Sequence, residues 1–329
     1  MNVAVSPSGI AVVIATVGRA DALRVCFDSL ARQTVKPAEV LVVHSGSDPE
    51  TKVLCDEDWA ARGLPVEYFA YPQKSAALQR DFAVRRTSQP LIMFADDDME
   101  FEPDWIEALL KELVRDPGIG ATMGRILNQT IAVPTPLWRL YRRLVASPER
   151  GFAPGAVIGA LFPIGFPEDA TAPLPSEWVG GCITLLRKDA YFSVNGFAPH
   201  FRGSSPGEDV DLGYRISRRW KVIYVPSARC LHHQSPSGRE NIGRHQYLSM
   251  RSRYAFCRAS AGMGALRSFA HVLLWAAFQT ASELSQVRHG RLRRDFLNAC
   301  WGRVRGAWSC IGWNPAAEQF PEWHDTNAA

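Results

Sequence analysis

Leu91-Ile92-Met93-Phe94-Ala95-Asp96-Asp97-Asp98 runs an unbroken apolar segment straight into three carboxylates. Short continuous apolar runs fit strands buried on both faces, as in a parallel sheet covered by helices. Working outward, residues 10–16, 39–44 and 66–71 repeat the pattern, and residues 20–32, 50–62 and 75–86 between them read as helices. The first of these puts Leu23, Cys26, Phe27 and Leu30 at helical i, i+3, i+4, i+7 spacing on one face. Pro103, ahead of Trp105, Ile106, Leu109, Leu110 and Leu113, opens another helix where proline is tolerated. The alternation predicts an α/β nucleotide-binding layout with ligands at the carboxyl ends of the strands.

At 329 residues, 47% hydrophobic and 21% charged, the chain can bury a core, which excludes disordered, fibrous and disulfide-stapled classes. A net charge of +4 is too small to call for nucleic acid as a partner. The charge is uneven: residues 236–329 hold 12 Arg, no Lys and 6 acids, or +6, which leaves −2 for residues 1–235. Seven scattered cysteines without CxxC spacing fit neither a disulfide framework nor a zinc module, and suit a reducing compartment. No secretion signal is visible in residues 1–9. The most apolar later stretch, residues 269–281, falls short of the roughly 20 residues a bilayer span needs.

Residues 134–175 contain 8 of the 22 prolines and predict a long ordered excursion with little regular structure. A strand at 178–186, a helix at 188–194 stopped by Asn195-Gly196, a helix at 209–219 and a strand at 222–225 follow. Helices at 242–258, 266–287 and 291–310 complete the chain. The expected division is a catalytic domain at 1–235, split into a nucleotide-binding half (1–125) and an acceptor-binding half (126–235), with a basic helical extension at 236–329.

Three carboxylates at a strand end repel one another, a cost that a divalent cation with oxygen ligands removes. Strand alternation turns Asp96 and Asp98 to one side and Asp97 to the other. The competing reading is a solvated loop favouring the next helix N-terminus. Glu208-Asp209-Val210-Asp211, behind the glycine-rich 203–207, is either a helix cap or a general base on a loop-to-helix junction. His232-His233 are metal ligands or ordinary packing residues.

The ordered set Ile14-Ala15-Thr16-x-x-Arg19, Val42-Val43-His44-Ser45-Gly46-Ser47-Asp48, Asp96-Asp97-Asp98, Gly196-Phe197, Glu208-Asp209-Val210-Asp211-Leu212 and His232-His233 resembles a family 2 glycosyltransferase with the GT-A fold, of the bacterial cell-surface glycan type. It spans roughly residues 10–235. The resemblance implies a mostly parallel central sheet flanked by helices, and transfer of a sugar from a nucleoside-diphosphate sugar to a hydroxyl of a glycan or lipid-linked glycan. It implies that Asp98 ligates Mn²⁺ or Mg²⁺, with Asp96 on metal or ribose and one of His232 and His233 completing the metal environment. Asp209 is then the base, Glu208 orients it, and a single displacement inverts the anomeric carbon. Thr16, Arg19 and Ser45 correspond to nucleotide contacts, Arg80 and Asp97 lie near the nucleotide, and Trp178, Gly180 and Gly181 form a wall near a sugar. Trp178 in the core is the alternative.

The chain departs from the family at His44-Ser45, where many relatives carry Asp-Asn or Asp-Asp, so the usual carboxylate partner for a uracil N–H is missing and the base stays open; the expected donor is nonetheless a UDP- or dTDP-sugar rather than a GDP-sugar. A sugar-phosphate nucleotidyltransferase shares the sheet, but Thr16-Val17-Gly18-Arg19 is too glycine-poor for its loop. GxGxxG and GxxxxGK[ST] are both absent. A catalytically silent membrane-associated scaffold is the non-enzymatic alternative, disfavoured by the full set of acids. The tail places Phe269, Val272, Leu273, Trp275, Ala276 and Phe278 near Arg288, Arg291, Arg293 and Arg294. That composition fits either packing on the catalytic domain or peripheral contact with the cytoplasmic face of the inner membrane.

Overall fold

Apolar runs become strands where both faces are covered, and the computed structural model, which describes residues 9–46, 48–129, 135–146, 152–201, 206–234, 241–287 and 293–318, follows that rule. The first half alternates β1 (Ile10–Thr16), α1 (Ala20–Ala31), β2 (Glu39–His44), α2 (Pro49–Cys55), β3 (Val66–Ala70), α3 (Ala76–Arg86), β4 (Leu91–Asp96), β5 (Met99–Phe101), α4 (Trp105–Arg115) and β6 (Ile119–Ile126). The second half carries α5 (Pro136–Val145), β7 (Val157–Ile158), β8 (Phe162–Pro163), β9 (Leu174–Pro175), β10 (Thr184–Arg187), α6 (Lys188–Ser193), α7 (Glu208–Ser217) and β11 (Lys221–His232). Helices α8 (Ile242–Ala255), α9 (Ala265–Val287) and α10 (Arg293–Trp308) close the chain.

The main sheet runs β3-β2-β1-β4-β10-β6-β11-β5, with β9 beside β11. Strands β3, β2, β1 and β4 are parallel; β10 inserts antiparallel between β4 and β6. Register pairs Thr16 with His44 and Ala15 with Asp96, so the carboxyl ends of three strands share one edge. This edge receives the site.

Several local expectations change. The helix expected at 50–62 breaks after Cys55 because Trp59 turns inward, its indole N–H donating to Leu54 O at 2.8 Å. The strand expected from 178 begins only at Thr184; Thr184 Oγ1 bonds Gly180 O at 2.6 Å and holds the preceding residues in a turn. The proline-rich stretch is not devoid of regular structure: Pro136 occupies the first turn of α5, and Thr135 caps it. The strand expected at 222–225 extends to 12 residues, bulging between Tyr224 and Arg229, and so carries His232 to its end. Strands β5 and β6 were not anticipated.

One core lies on both sides of the sheet; a second joins α5, α7 and the C-terminal helices through Tyr141, Phe201, Val210, Met250, Tyr254 and Trp275. Helix α10 approaches α8 closely because a Cβ on Gly302 would lie 2.1 Å from Gly243 O. Val272, Trp275 and Phe278 are buried, so the inner face of α9 packs on the protein. Arg288 and Arg291 lie outside the described residues. Among the described residues no helix is long and apolar enough to cross a membrane.

Candidate active site

The site is assembled from strand ends and helix starts. At the end of β4, Asp96 and Asp98 turn toward His232 at the end of β11, and one ligand atom from each of the three lies within 4.8 Å of the others. His232 Nε2 is 3.2 Å from Asp98 Oδ1, and this contact raises the imidazole pKa. His233 faces away and meets Glu100 at 3.1 Å, although its backbone N–H donates to Asp98 O at 3.0 Å. Of the two histidines, the geometry brings His232 to the aspartates.

Asp97 lies in the turn that follows β4 and meets the end of β1. It is fully buried, accepts from Thr16 Oγ1 at 2.5 Å and pairs with Arg19 at 2.5 Å. Burial raises its pKa to about 6 against the opposing effects of Arg19 and Thr16. Arg19 also reaches Asp98 at 3.3 Å. The Thr16-x-x-Arg19 turn thus clamps the acidic strand end from the neighbouring strand.

Arg80 is 3% exposed, which excludes a helix-surface role. Its guanidinium joins Asp96 at 2.6 Å to Glu208 at 3.4 Å, linking the acidic strand end to the first turn of α7. Asp209 accepts the N–H groups of Gly181 and Val210, each at 2.8 Å. Burial, with Asp209 adjacent, lifts Glu208 to about 7, and burial also raises Asp209. Gly181 permits this packing, since a Cβ there would lie 2.8 Å from an Arg80 nitrogen.

Ser45 is buried and donates to Gln79 Oε1 at 3.3 Å. Gln79 Nε2 in turn donates to Thr16 O and Val43 O at 3.0 and 2.7 Å, tying the ends of β1 and β2 together. His44 bonds the Tyr68 hydroxyl at 2.9 Å, and burial lowers its pKa. Trp178 stands apart from Gly180 and Gly181: it donates to Ile164 O at 3.1 Å and lines a cavity of about 630 Å³ with Arg125, Gln129, Phe166, Glu168 and Tyr224. Phe166 stacks on Tyr224 at 4.0 Å within it.

Gln79, Asn128 and Gln129 escaped the sequence reading. Asn128 brackets His232 by donating to its carbonyl at 2.9 Å and accepting from its N–H at 3.0 Å. Gln129 lies 3.4 Å from its Nδ1. Gln79 had a signal, a polar residue on the covered face of α3; Asn128 and Gln129 follow a strand that was itself unforeseen.

Residues 11–152 match the model for glycosyl transferase family 2. The chain is 28% identical over 252 residues to the N-acetylglucosaminyl-diphospho-decaprenol L-rhamnosyltransferase of Mycobacterium tuberculosis, covering 69% of this chain and 77% of that protein. Glycosyltransferase GlyA of Streptococcus pneumoniae is 29% identical over 92 residues, covering 28% of this chain and 13% of that one. Among solved structures, the mannosyltransferase PcManGT of Pyrobaculum calidifontis, in complex with GDP-Man and Mn²⁺, shares 14% identity at a TM-score of 0.55, covering 93% of this chain and 89% of that one. GalNAc-T7 with UDP, GalNAc and Mn²⁺ gives a TM-score of 0.57 at 17% identity, covering 76% of this chain and 48% of that one, about half its length. At such identities the likeness is one of fold.

Fold and relatives together define a glycosyltransferase with the GT-A architecture. Within that class, residues 11–152 match glycosyl transferase family 2.

Proposed function

We propose that the protein is a metal-dependent, inverting glycosyltransferase that moves one sugar from a nucleoside-diphosphate donor, UDP or dTDP rather than GDP, to a lipid-linked glycan acceptor on the cytoplasmic side of the membrane. The observation that carries this is the convergence of Asp96, Asp98 and His232 at the strand edge, beside Glu208 and Asp209. Two carboxylates and an imidazole suit Mn²⁺ or Mg²⁺, so the residues present fit the cation. A divalent cation held there supplies positive charge against the diphosphate leaving group.

The chain's own residues do the rest. Arg19 sits next to Asp98 with its side chain partly exposed, which suits it to meet a nucleotide phosphate. Asp209 takes the proton of the acceptor hydroxyl while that oxygen bonds the anomeric carbon and the bond to the diphosphate breaks. Its two N–H contacts fix its direction. Burial keeps Asp209 basic, and Glu208, held by Arg80, stands beside it. The lipid-linked acceptor is carried over from the rhamnosyltransferase relative; the Trp178 and Phe166 cavity offers aromatic faces for a sugar.

A thermal-shift panel of UDP-, dTDP- and GDP-sugars with and without Mn²⁺ tests the reading, because a ligand that binds only the folded state raises its stability. A UDP- or dTDP-sugar should raise the melting temperature only with Mn²⁺. Equal shifts with EDTA would remove the metal from the reaction.

A further inference from the structure

Helix α10 buries one face against α8 and leaves Leu297, Trp301, Val304 and Trp308 to solvent at 4-3-4 spacing, with Ile311 continuing the line beyond it. Trp301 is 63% and Trp308 76% exposed, far beyond what a scattered surface residue shows. The neighbouring α9 repeats the pattern: its exposed positions Leu266, Ala270, Leu273, Ala277, Ala281 and Leu284 form a second apolar line. Helix α5, packed on α9, exposes Leu140 and Leu144 next to Arg139 and Arg143.

Exposed cations on these helices include Arg267 on α9 and Arg305 on α10. No acid occurs between Leu266 and Ser282 or between Leu297 and Ile311, and Glu283 is engaged by the buried Arg303. We infer that the outer faces of α9 and α10 dock on an anionic lipid surface. Tryptophan and leucine enter the headgroup boundary there, and arginines meet lipid phosphates. A second copy of the chain is the poorer occupant, because an isologous contact of these faces would bring the exposed Arg267 and Arg305 against the same residues of the other copy. The inference stands independently of the transfer chemistry.

Full-length protein is floated with vesicles of phosphatidylcholine alone or with about a third phosphatidylglycerol, at low and high salt, and its mass in solution is measured by sedimentation. Wild type should float with the anionic vesicles and lose binding in high salt. The double variant W301E/W308E, altered only at exposed positions, should bind them at least about tenfold more weakly while keeping its melting temperature and its hydrolysis of the donor. Equal recovery of variant and wild type, or a dimer that the variant splits without any lipid binding, would overturn the inference. Loss of transfer with flotation intact would instead count against the proposed reaction.

Discussion

Asp97 and Glu208 are buried carboxyls whose pKa values rise to about 6 and about 7, and Asp98 raises that of His232. Each group holds its proton more tightly folded than unfolded, so the stability it contributes is full at acid pH and lost as pH rises through the folded value. His44, His200 and His271, whose pKa values burial lowers, act in the opposite sense, so the sign is read as a difference: between about pH 5 and pH 8 the metal-free wild type should lose more melting temperature than Glu208→Gln. Cation binding needs the deprotonated forms, so the stabilisation given by Mn²⁺ should grow over the same interval. Differential scanning fluorimetry with EDTA or Mn²⁺ checks both signs. Transfer should rise with pH through about 7 as Glu208 ionises beside Asp209, and Glu208→Gln should lose that limb. Asp209→Asn should retain donor binding yet lose transfer by about 10²-fold or more, read as a fall in kcat; wild-type turnover would remove it as the base. Arg80→Met strands two carboxylates and should cost about 3–5 kcal/mol in denaturant unfolding.

At the scale of elements, the site depends on where strands stop. Strand β11 must run as far as His232, and Asn128 holds its end through two backbone hydrogen bonds. Asn128→Ala should weaken Mn²⁺ binding by about 10-fold or more in a calorimetric titration without lowering the melting temperature of the metal-free protein much, as is usual when a ligand loses its outer support. The strands β1, β2 and β4 were legible because Ile10–Ile14, Val40–Val43 and Leu91–Ala95 are uninterrupted apolar runs. Strand β6 was not, because Gly120 and Gly124 interrupt its pattern; Gly124 is where the Trp105 ring presses on the sheet, 2.3 Å from where a Cβ would sit. The Arg80 bridge was not legible either, since it joins residues 128 positions apart through a turn that only packing defines.

For the molecule as a whole, the charge division into a slightly acidic 1–235 and a basic tail was legible from composition, but not which way the arginines face. Arg253 bonds Ala160 O and Leu161 O and holds the tail to the rest of the protein, whereas Arg303 bonds Gln246 and Thr280 and ties the tail's helices to one another. What remains outside surrounds an apolar surface rather than a uniformly solvated one. The central claim is that Asp96, Asp98 and His232 hold the cation on which sugar transfer depends. Its most direct measurement is Mn²⁺-dependent release of nucleoside diphosphate from the donor by wild type and Asp98→Ala, both verified as folded by circular dichroism. Wild type should lose activity in EDTA and regain it with Mn²⁺, whereas Asp98→Ala should stay at the EDTA level at every Mn²⁺ concentration. Full Mn²⁺-dependent turnover by Asp98→Ala, or EDTA-insensitive turnover by wild type, would contradict it.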